Sequence, residues 1–521
     1  MGVFRNILGV SCCTFLSRIS GLLRDILIFS ALGTGELNSA FLVAFTLPNL
    51  FRRLLGEGAL NSALIPIFSD EYHTNGKEQA FVLLNKVLFR LVCVLVGIIF
   101  IGLIFLLYGM VCGQTPERWR ICFALSAILL PYMFFICLTA VFSAVLNVFG
   151  KFLLAAGNPI LLNASMILAV VISIPWGENA CVYSLCLGVL VGGVLQMLLL
   201  WRGLNQYGWQ FRFDRGSGER VDDFQRLFFP GVIGAATVQV NVAISRLLAY
   251  FVSDSAVSVL YLANRLTELP IGVLVIAVMT VIFPRLSNFE ARGEKALLHA
   301  EFERGIFVLS VIILPSMVGL WCLDRTILDL LFHWGQFGMQ DMDLVLPVLR
   351  IFILSLPFYA LSTHFVRGYH SKKDAIRPMI FSFINCATNI ILTICLMFYL
   401  EAIGIALANL LSIILQTLLL YEGLWRHYEE FRIPIFTVKF FKALASSLLM
   451  GVIVTALDQV LALYFSGKIH GIVSLCTNIP LGIITYFGLL YLLLGRRHLN
   501  ELKPFVKRLV RKFKKKLNVL P

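Results

Sequence analysis

Arg18, Arg24 and Asp25 stand inside FLSRISGLLRDILIF (Phe15 to Phe29), a stretch apolar enough to enter a bilayer. The next apolar stretch, LPNLFRRLLGEGALNSALIP (Leu47 to Pro66), carries Asn49, Arg52, Arg53 and Glu57. A later one, YLANRLTELP (Tyr261 to Pro270), carries Asn264, Arg265 and Glu268. An arginine at the centre of a membrane helix costs about 2.5–3.5 kcal/mol on insertion scales, so these side chains must not face lipid. Helical spacing sets Arg18, Gly21 and Asp25 on one stripe and Ser17, Ser20 and Arg24 on the next. Together the stripes form a broad polar face that has to meet protein or a wet cavity. Internal pairing (Arg24 or Arg18 with Asp25, Arg53 with Glu57, Arg265 with Glu268) explains part of the set and leaves basic residues in excess. A surplus of arginine in a low-dielectric cleft calls for an anion, and the planar guanidinium fits phosphate oxygens two at a time. A phosphate-bearing ligand explains the surplus better than pairing alone, with a small hydrophilic anion as the alternative. Arg246 and Arg350 are further arginines in apolar spans, nearer a cavity edge.

Other chemistry is sparse. GTGELN and GEGALN lack the GK[ST] ending and the strand-to-helix setting of a phosphate loop, and read as sites of helix packing or bending. The twelve cysteines include no CxxC pair and the histidines no HExxH, so the cysteines read as small buried hydrophobes and no metal site is expected. No nucleophile–base constellation and no nucleotide motif occur, so no catalytic residue and no cofactor are assigned. The expectation is a transporter rather than an enzyme, driven by a gradient or by the disequilibrium of its substrate.

The elements that position these residues follow from composition. The chain has 521 residues, 59% hydrophobic and 14% charged. Long apolar runs recur from end to end, which implies an all-α polytopic membrane protein; the short alternating segments of a β-barrel are missing. About fourteen spans can be drawn, several longer than the roughly 20 residues a perpendicular helix needs. Pro48, Pro66, Pro270 and Pro284 are natural kink points. The second span ends Ile65-Pro66-Ile67-Phe68-Ser69 and the eighth Phe283-Pro284-Arg285-Leu286-Ser287, and the fourth and tenth open Leu130-Pro131-Tyr132 and Leu356-Pro357-Phe358. These echoes suggest two parallel six-helix repeats and a central cleft. The expected division is an N-terminal lobe at 1–206, a C-terminal lobe at 207–430, two further helices at 431–495, and a basic tail at 496–521.

The formal charge of +14 does not point to nucleic acid. The tail from Arg496 holds ten Lys/Arg and one acid, and its Leu499, Leu502, Val506, Leu509, Phe513 and Leu517 recur at the helical spacing of an amphipathic helix on an anionic leaflet. The other cations sit in short loops. Lys77, Lys151, Arg212, Arg215, Arg220, Arg292, Lys295, Lys372, Lys373, Arg377, Arg432 and Lys439 fall on the side of the termini; Arg118, Arg120, Arg325 and Lys468 fall opposite. The positive-inside rule then makes both termini cytoplasmic.

The motifs SRISGLLRD, LPNLFRRLLGEGALNSALIPIF, YLANRLTELPIGVL, FPRLS and GYHSKKDAIRP together resemble the MurJ/MviN family. These are lipid II flippases of the multidrug/oligosaccharidyl-lipid/polysaccharide exporter superfamily. The resemblance covers essentially the whole chain. It implies two six-helix lobes around a cationic cavity, a groove for the polyprenyl tail lined by the last two helices, and transport by alternating access in the bacterial inner membrane. It implies lipid II as partner, with membrane lipids and a cell-envelope synthesis complex as further partners. Family arginines important for transport match Arg18, Arg24, Arg52 and Arg265, with Ser17, Asp25, Asn49, Arg53, Glu57, Asn264 and Glu268 as supporting polar residues. Ser39 and Asn264 stand where relatives often carry an acid, which makes the cleft more positive and puts carboxylate-dependent gating there in doubt. Rival readings are a flippase for another polyprenyl-pyrophosphate glycan, a drug or ion exporter, an anion channel and a non-transporting scaffold. An exporter of cationic drugs would show a carboxylate-rich cleft instead.

Overall fold

The structure, a computed structural model, describes residues 2–54, 60–113, 115–216 and 219–517, without the side chains of 2–8, 60–62, 219, 229–231, 233–235, 237, 238 and 496–517. The described chain is helical, with no strand. In order the helices are α1 (Gly2–Leu32), α2 (Glu36–Phe51), α3 (Leu60–Thr74), α4 (Gly76–Val111), α5 (Glu117–Leu129), α6 (Tyr132–Val148), α7 (Phe152–Ser173), α8 (Glu178–Asn205) and α9 (Glu219–Val252). They continue with α10 (Ala256–Pro270), α11 (Ile276–Ala291), α12 (Lys295–Cys322), α13 (Asp324–Phe332), α14 (Met339–Ser371), α15 (Ile376–His427), α16 (Val438–Tyr464) and α17 (Gly467–Leu517). Among the described residues, ten helical stretches are long and apolar enough to cross a membrane. One of these, α15, is two helices joined at Glu401, whose φ of 46° breaks the run. α17 breaks likewise at Gly495, where the apolar helix passes into the basic tail. The tail's side chains lie outside the described residues, so its amphipathic reading remains one of sequence.

The prolines act unequally. π-helical turns follow two of them, at residues 52–54 beyond Pro48 and at Ile271–Val275 beyond Pro270. Each removes one backbone N–H and widens the next turn. Pro66 and Pro284 lie inside continuous helices. Pro131 separates α5 from α6, whereas Pro357 is accommodated within α14. The second and eighth spans thus share a local irregularity, and the fourth and tenth do not.

The chain forms two compact units: Met1–Ser258 with Trp334–Phe337, and Val259–His333 with Gly338–Pro521. In the first, α7 pairs with α1 and α8, and α9 packs on α2 and α3. Its core gathers Phe68, Phe81, Phe142, Trp201 and Trp209 from α3, α4, α6, α8 and the linker that follows α8. Phe149 stacks on Tyr207 with centroids 4.5 Å apart. In the second unit, α12 is the buried axis, packed by α14 and α16, and α17 pairs with α16. His364 of α14 stacks on Phe302 at 4.3 Å and its Nε2 lies 3.0 Å from the Phe302 carbonyl oxygen. Gly305 makes this approach feasible, because a Cβ there would sit 2.2 Å from His364 Cε1.

Only four of the twelve cysteines (122, 137, 181 and 186) are buried; Cys12, Cys93, Cys395 and Cys476 are exposed, and all are free. The expectation of buried cysteines therefore holds for a minority. On the outside of an apolar helix the neighbour is lipid, and a thiol meets no more penalty there than in a protein core.

Candidate functional site

Arg24 is anchored at its own level of α1. Its Nε and Nη2 donate to the same oxygen of Asp25, at 3.0 and 2.6 Å. Its Nη1 donates to Asn163 Oδ1 at 3.1 Å. The Asn163 amide in turn donates to Ser20 Oγ at 2.9 Å and to the Ser17 carbonyl at 3.2 Å. The polar stripe read from α1 therefore meets α7, and one asparagine ties Ser17, Ser20 and Arg24 together. Asp25 is almost wholly buried, with 2% of its side chain exposed against 13% for Arg24. A carboxylate so enclosed requires its cation. Asn163 was not singled out from sequence. Its signal is the second of two amides in an apolar span, in NPILLNASM.

Arg18 is different. It is exposed on α1 and makes no hydrogen bond or ion pair among the described residues. Arg53 is likewise exposed and unpartnered among them. Its expected partner Glu57 lies outside the described residues. Arg52 begins the π turn after Pro48, and its Nε donates to Asn49 Oδ1 at 3.3 Å; Asn49 in turn donates to the Phe45 carbonyl at 3.1 Å. Arg246 of α9 donates to Thr46 Oγ1 of α2 at 2.7 Å, a contact the sequence did not indicate.

In the second unit, Arg265 and Glu268 form the expected pair, loosely, at 3.5 Å with 32% and 49% of their side chains exposed. Asn264 donates to the other Glu268 oxygen at 3.1 Å. Arg350 donates to the buried Asp324 at 2.6 Å and lies over the Trp321 ring, so it is engaged structurally. Ser39 shares a hydrogen bond of 2.8 Å with Ser258, and both are fully buried. A neutral hydroxyl pair needs no proton exchange to stay satisfied there. Among the described residues no three His, Cys, Asp or Glu side chains are grouped to hold a metal.

A family profile described as lipid II flippase MurJ matches residues 28–478. The chain belongs to the MurJ family. It is 30% identical over 518 residues to a probable lipid II flippase MurJ of Vibrio cholerae, covering 95% of this chain and 96% of that one. The probable MurJ of Rhizobium meliloti is 32% identical over 450 residues, covering 84% of this chain and 83% of the other. A solved lipid II flippase MurJ in an inward closed conformation superposes with a TM-score of 0.77 at 26% identity, over 93% of this chain and 98% of that one. An inward-facing multidrug resistance MATE transporter of the MOP superfamily shares the fold alone, with a TM-score of 0.63 at 17% identity, over 81% of this chain and 99% of that one. MurJ proteins are membrane transporters, not enzymes, and this chain is a multi-pass member of the family. Its arginine-rich motifs at Leu47–Pro66 and Tyr261–Pro270 fall inside the matched region, and Arg18 and Arg24 precede it.

Proposed function

We propose that this chain flips lipid II, moving the polyprenyl-pyrophosphate-linked peptidoglycan precursor from the cytoplasmic to the periplasmic leaflet by alternating access. The disaccharide-pentapeptide head would lose its water partners in bare hydrocarbon, at several kcal/mol for each unsatisfied polar group. A wet path lined by cations removes that cost while the tail stays in an apolar groove beside α16 and α17. Arg18, Arg24, Arg52 and Arg265 hold the pyrophosphate. Ser17, Asn49, Arg53, Asn264, Glu268 and Glu57 shape the polar lining, and Asp25 holds Arg24 until substrate oxygens replace it.

The observation that carries this reading is the contrast along α1. Asp25 neutralises Arg24, while Arg18, about 9 Å along the axis, is exposed and unpaired among the described residues. Pairing alone therefore does not account for the arginines. The remaining organisation is proposed with it: fourteen spans, lobes at 1–206 and 207–430, two tail-groove helices at 431–495, both termini in the cytoplasm, the inner membrane of a bacterium, and association with cell-envelope synthesis proteins. An inside-negative potential favours outward movement of the anion by roughly 2.3 kcal/mol per charge per 100 mV.

The test is translocation of labelled lipid II in proteoliposomes by the native chain, Arg24→Ala and Arg265→Ala, each checked for folding and insertion. Movement by the native chain and loss in both variants is expected. Equal movement in all three would make the arginines structural. No movement by a folded native chain, with a potential imposed, would redirect the assignment to another glycolipid or to a scaffold.

A further inference from the structure

The linker after α8 lies along α4. Trp209, 1% exposed, donates its indole N–H to Asn85 Oδ1 at 3.0 Å, and Asn85 returns a bond to the Gln210 carbonyl at 3.1 Å. Further along, Arg90 Nη2 reaches the Gly216 carbonyl at 3.5 Å. Lys86, one turn before Arg90, packs on the same glycine, its Nζ 3.3 Å from where a Cβ would be. Arg215 lies over the Phe89 ring at 5.6 Å. Lys86, Arg90 and Arg215 thus converge on one short backbone segment.

Among the described residues none of the three forms an ion pair, and Arg90 Nη1 is buried with no hydrogen-bond partner among them. Asp214, the acid beside them, turns Oδ1 to the Gly216 N–H at 2.8 Å. A buried guanidinium N–H left unsatisfied costs more than a neutral donor would, so this group demands an acceptor.

Depth says which acceptor. The stretch Leu91–Val111 is 21 residues without a charge. At 1.5 Å per residue it spans about 31 Å, the hydrocarbon thickness of a bilayer. Its outward residues are apolar and exposed, among them Val94, Phe100, Ile101 and Phe105. Arg90 therefore marks the hydrocarbon boundary, and Lys86 and Arg215 lie at the level of the lipid headgroups. Phe213, 74% exposed, lies edge-on to Phe89 at 6.1 Å beside Arg215.

We propose that Lys86, Arg90 and Arg215 form a binding site for the phosphate of an anionic glycerophospholipid, which clamps the α8–α9 linker to α4. The site is independent of the transport arginines and lies wholly within the first unit.

The test uses the full chain in a neutral detergent, titrated with phosphatidylglycerol or phosphatidylcholine and read by native mass spectrometry. The first phosphatidylglycerol should bind in preference to phosphatidylcholine. Lys86→Gln and Arg215→Gln should each weaken it about five-fold, the equivalent of about 1 kcal/mol per surface cation. Arg426→Gln, which changes an exposed cation paired with Glu422, should leave it unchanged. Both test variants alter side chains outside the buried core, and thermal unfolding without added lipid confirms that each is folded. Equal retention by all variants, or equal retention of the two lipids, overturns the proposal. So does displacement of phosphatidylglycerol by millimolar inorganic phosphate, which would mark a site for free phosphate.

Discussion

Arg24 commits two N–H groups, at 3.0 and 2.6 Å, to a single oxygen of the neighbouring Asp25. Adjacent residues on a helix do not share a face, and the pair closes through the length of the arginine side chain. Truncating either partner strands a charge in a poorly solvated place, at about 3–5 kcal/mol, whereas removing both strands none. Arg24→Ala and Asp25→Ala should each lower the unfolding temperature in detergent, and the double variant should lose less than their sum. Simple additivity would show the two residues to be energetically independent.

Asn163 is the tie between α1 and α7, with bonds to Arg24, Ser20 and the Ser17 carbonyl. Asn163→Leu should cost about 1–3 kcal/mol for donors and acceptors left unsatisfied. It should also slow lipid II movement, because Arg24 loses its orientation. Native stability together with native turnover in this variant would remove Asn163 from the site.

The Arg265–Glu268 pair is loose and half exposed, and such pairs contribute about 0–1 kcal/mol. Loss of this pair should therefore cost little stability, and Arg265→Ala should lower transport by more than its effect on the unfolding temperature explains. A large drop in unfolding temperature would instead assign Arg265 a structural role.

Gly305 and His364 test the core of the second unit. Gly305→Ala pushes a methyl into the imidazole, 2.2 Å from Cε1, an overpacking expected to cost about 1–3 kcal/mol. Gly305→Ala combined with His364→Ala should recover part of that loss. No recovery would place the strain elsewhere.

The loop after α14 predicts a pH dependence. Burial disfavours the charged form of Asp374, but hydrogen bonds from Arg377 and Tyr428 prevail and hold its carboxyl below the ordinary 3.8. A carboxyl depressed in the folded state stabilises it fully above the ordinary value, and that contribution is lost as pH falls through the folded value. Unfolding temperature should fall on acidification below about pH 4, and Asp374→Asn should be less stable at neutral pH and show a shallower acid dependence. An unchanged acid profile in the variant would dismiss Asp374 as its source.

Much was legible in the sequence alone. Apolar run length is a local property that the bilayer selects directly, so the all-helical membrane class followed from it. The breaks at Glu401 and Gly495 fall where the apolar pattern pauses. The arginine positions were visible for the same reason, since a charge in an apolar run is conspicuous whatever surrounds it, and Arg265–Glu268 lies within one turn.

Only the tertiary structure decided who meets whom. Asn163 is 139 residues from Arg24 and Thr46 is 200 from Arg246, and helical periodicity carries no information across such separations. It also decided which of two similar arginines on α1 is neutralised. Asp25 is open to either by spacing, and the packing of α7 against α1 brings Asn163 to Arg24 while leaving Arg18 exposed. The linker cations followed the same logic. Arg215 is an ordinary loop charge in sequence and Lys86 an isolated cation at the start of an apolar run; they become a cluster because Trp209, buried among aromatic rings, draws the linker back along α4. Long-range packing is set by the shape and burial of whole helices, and single residues inherit their partners from it.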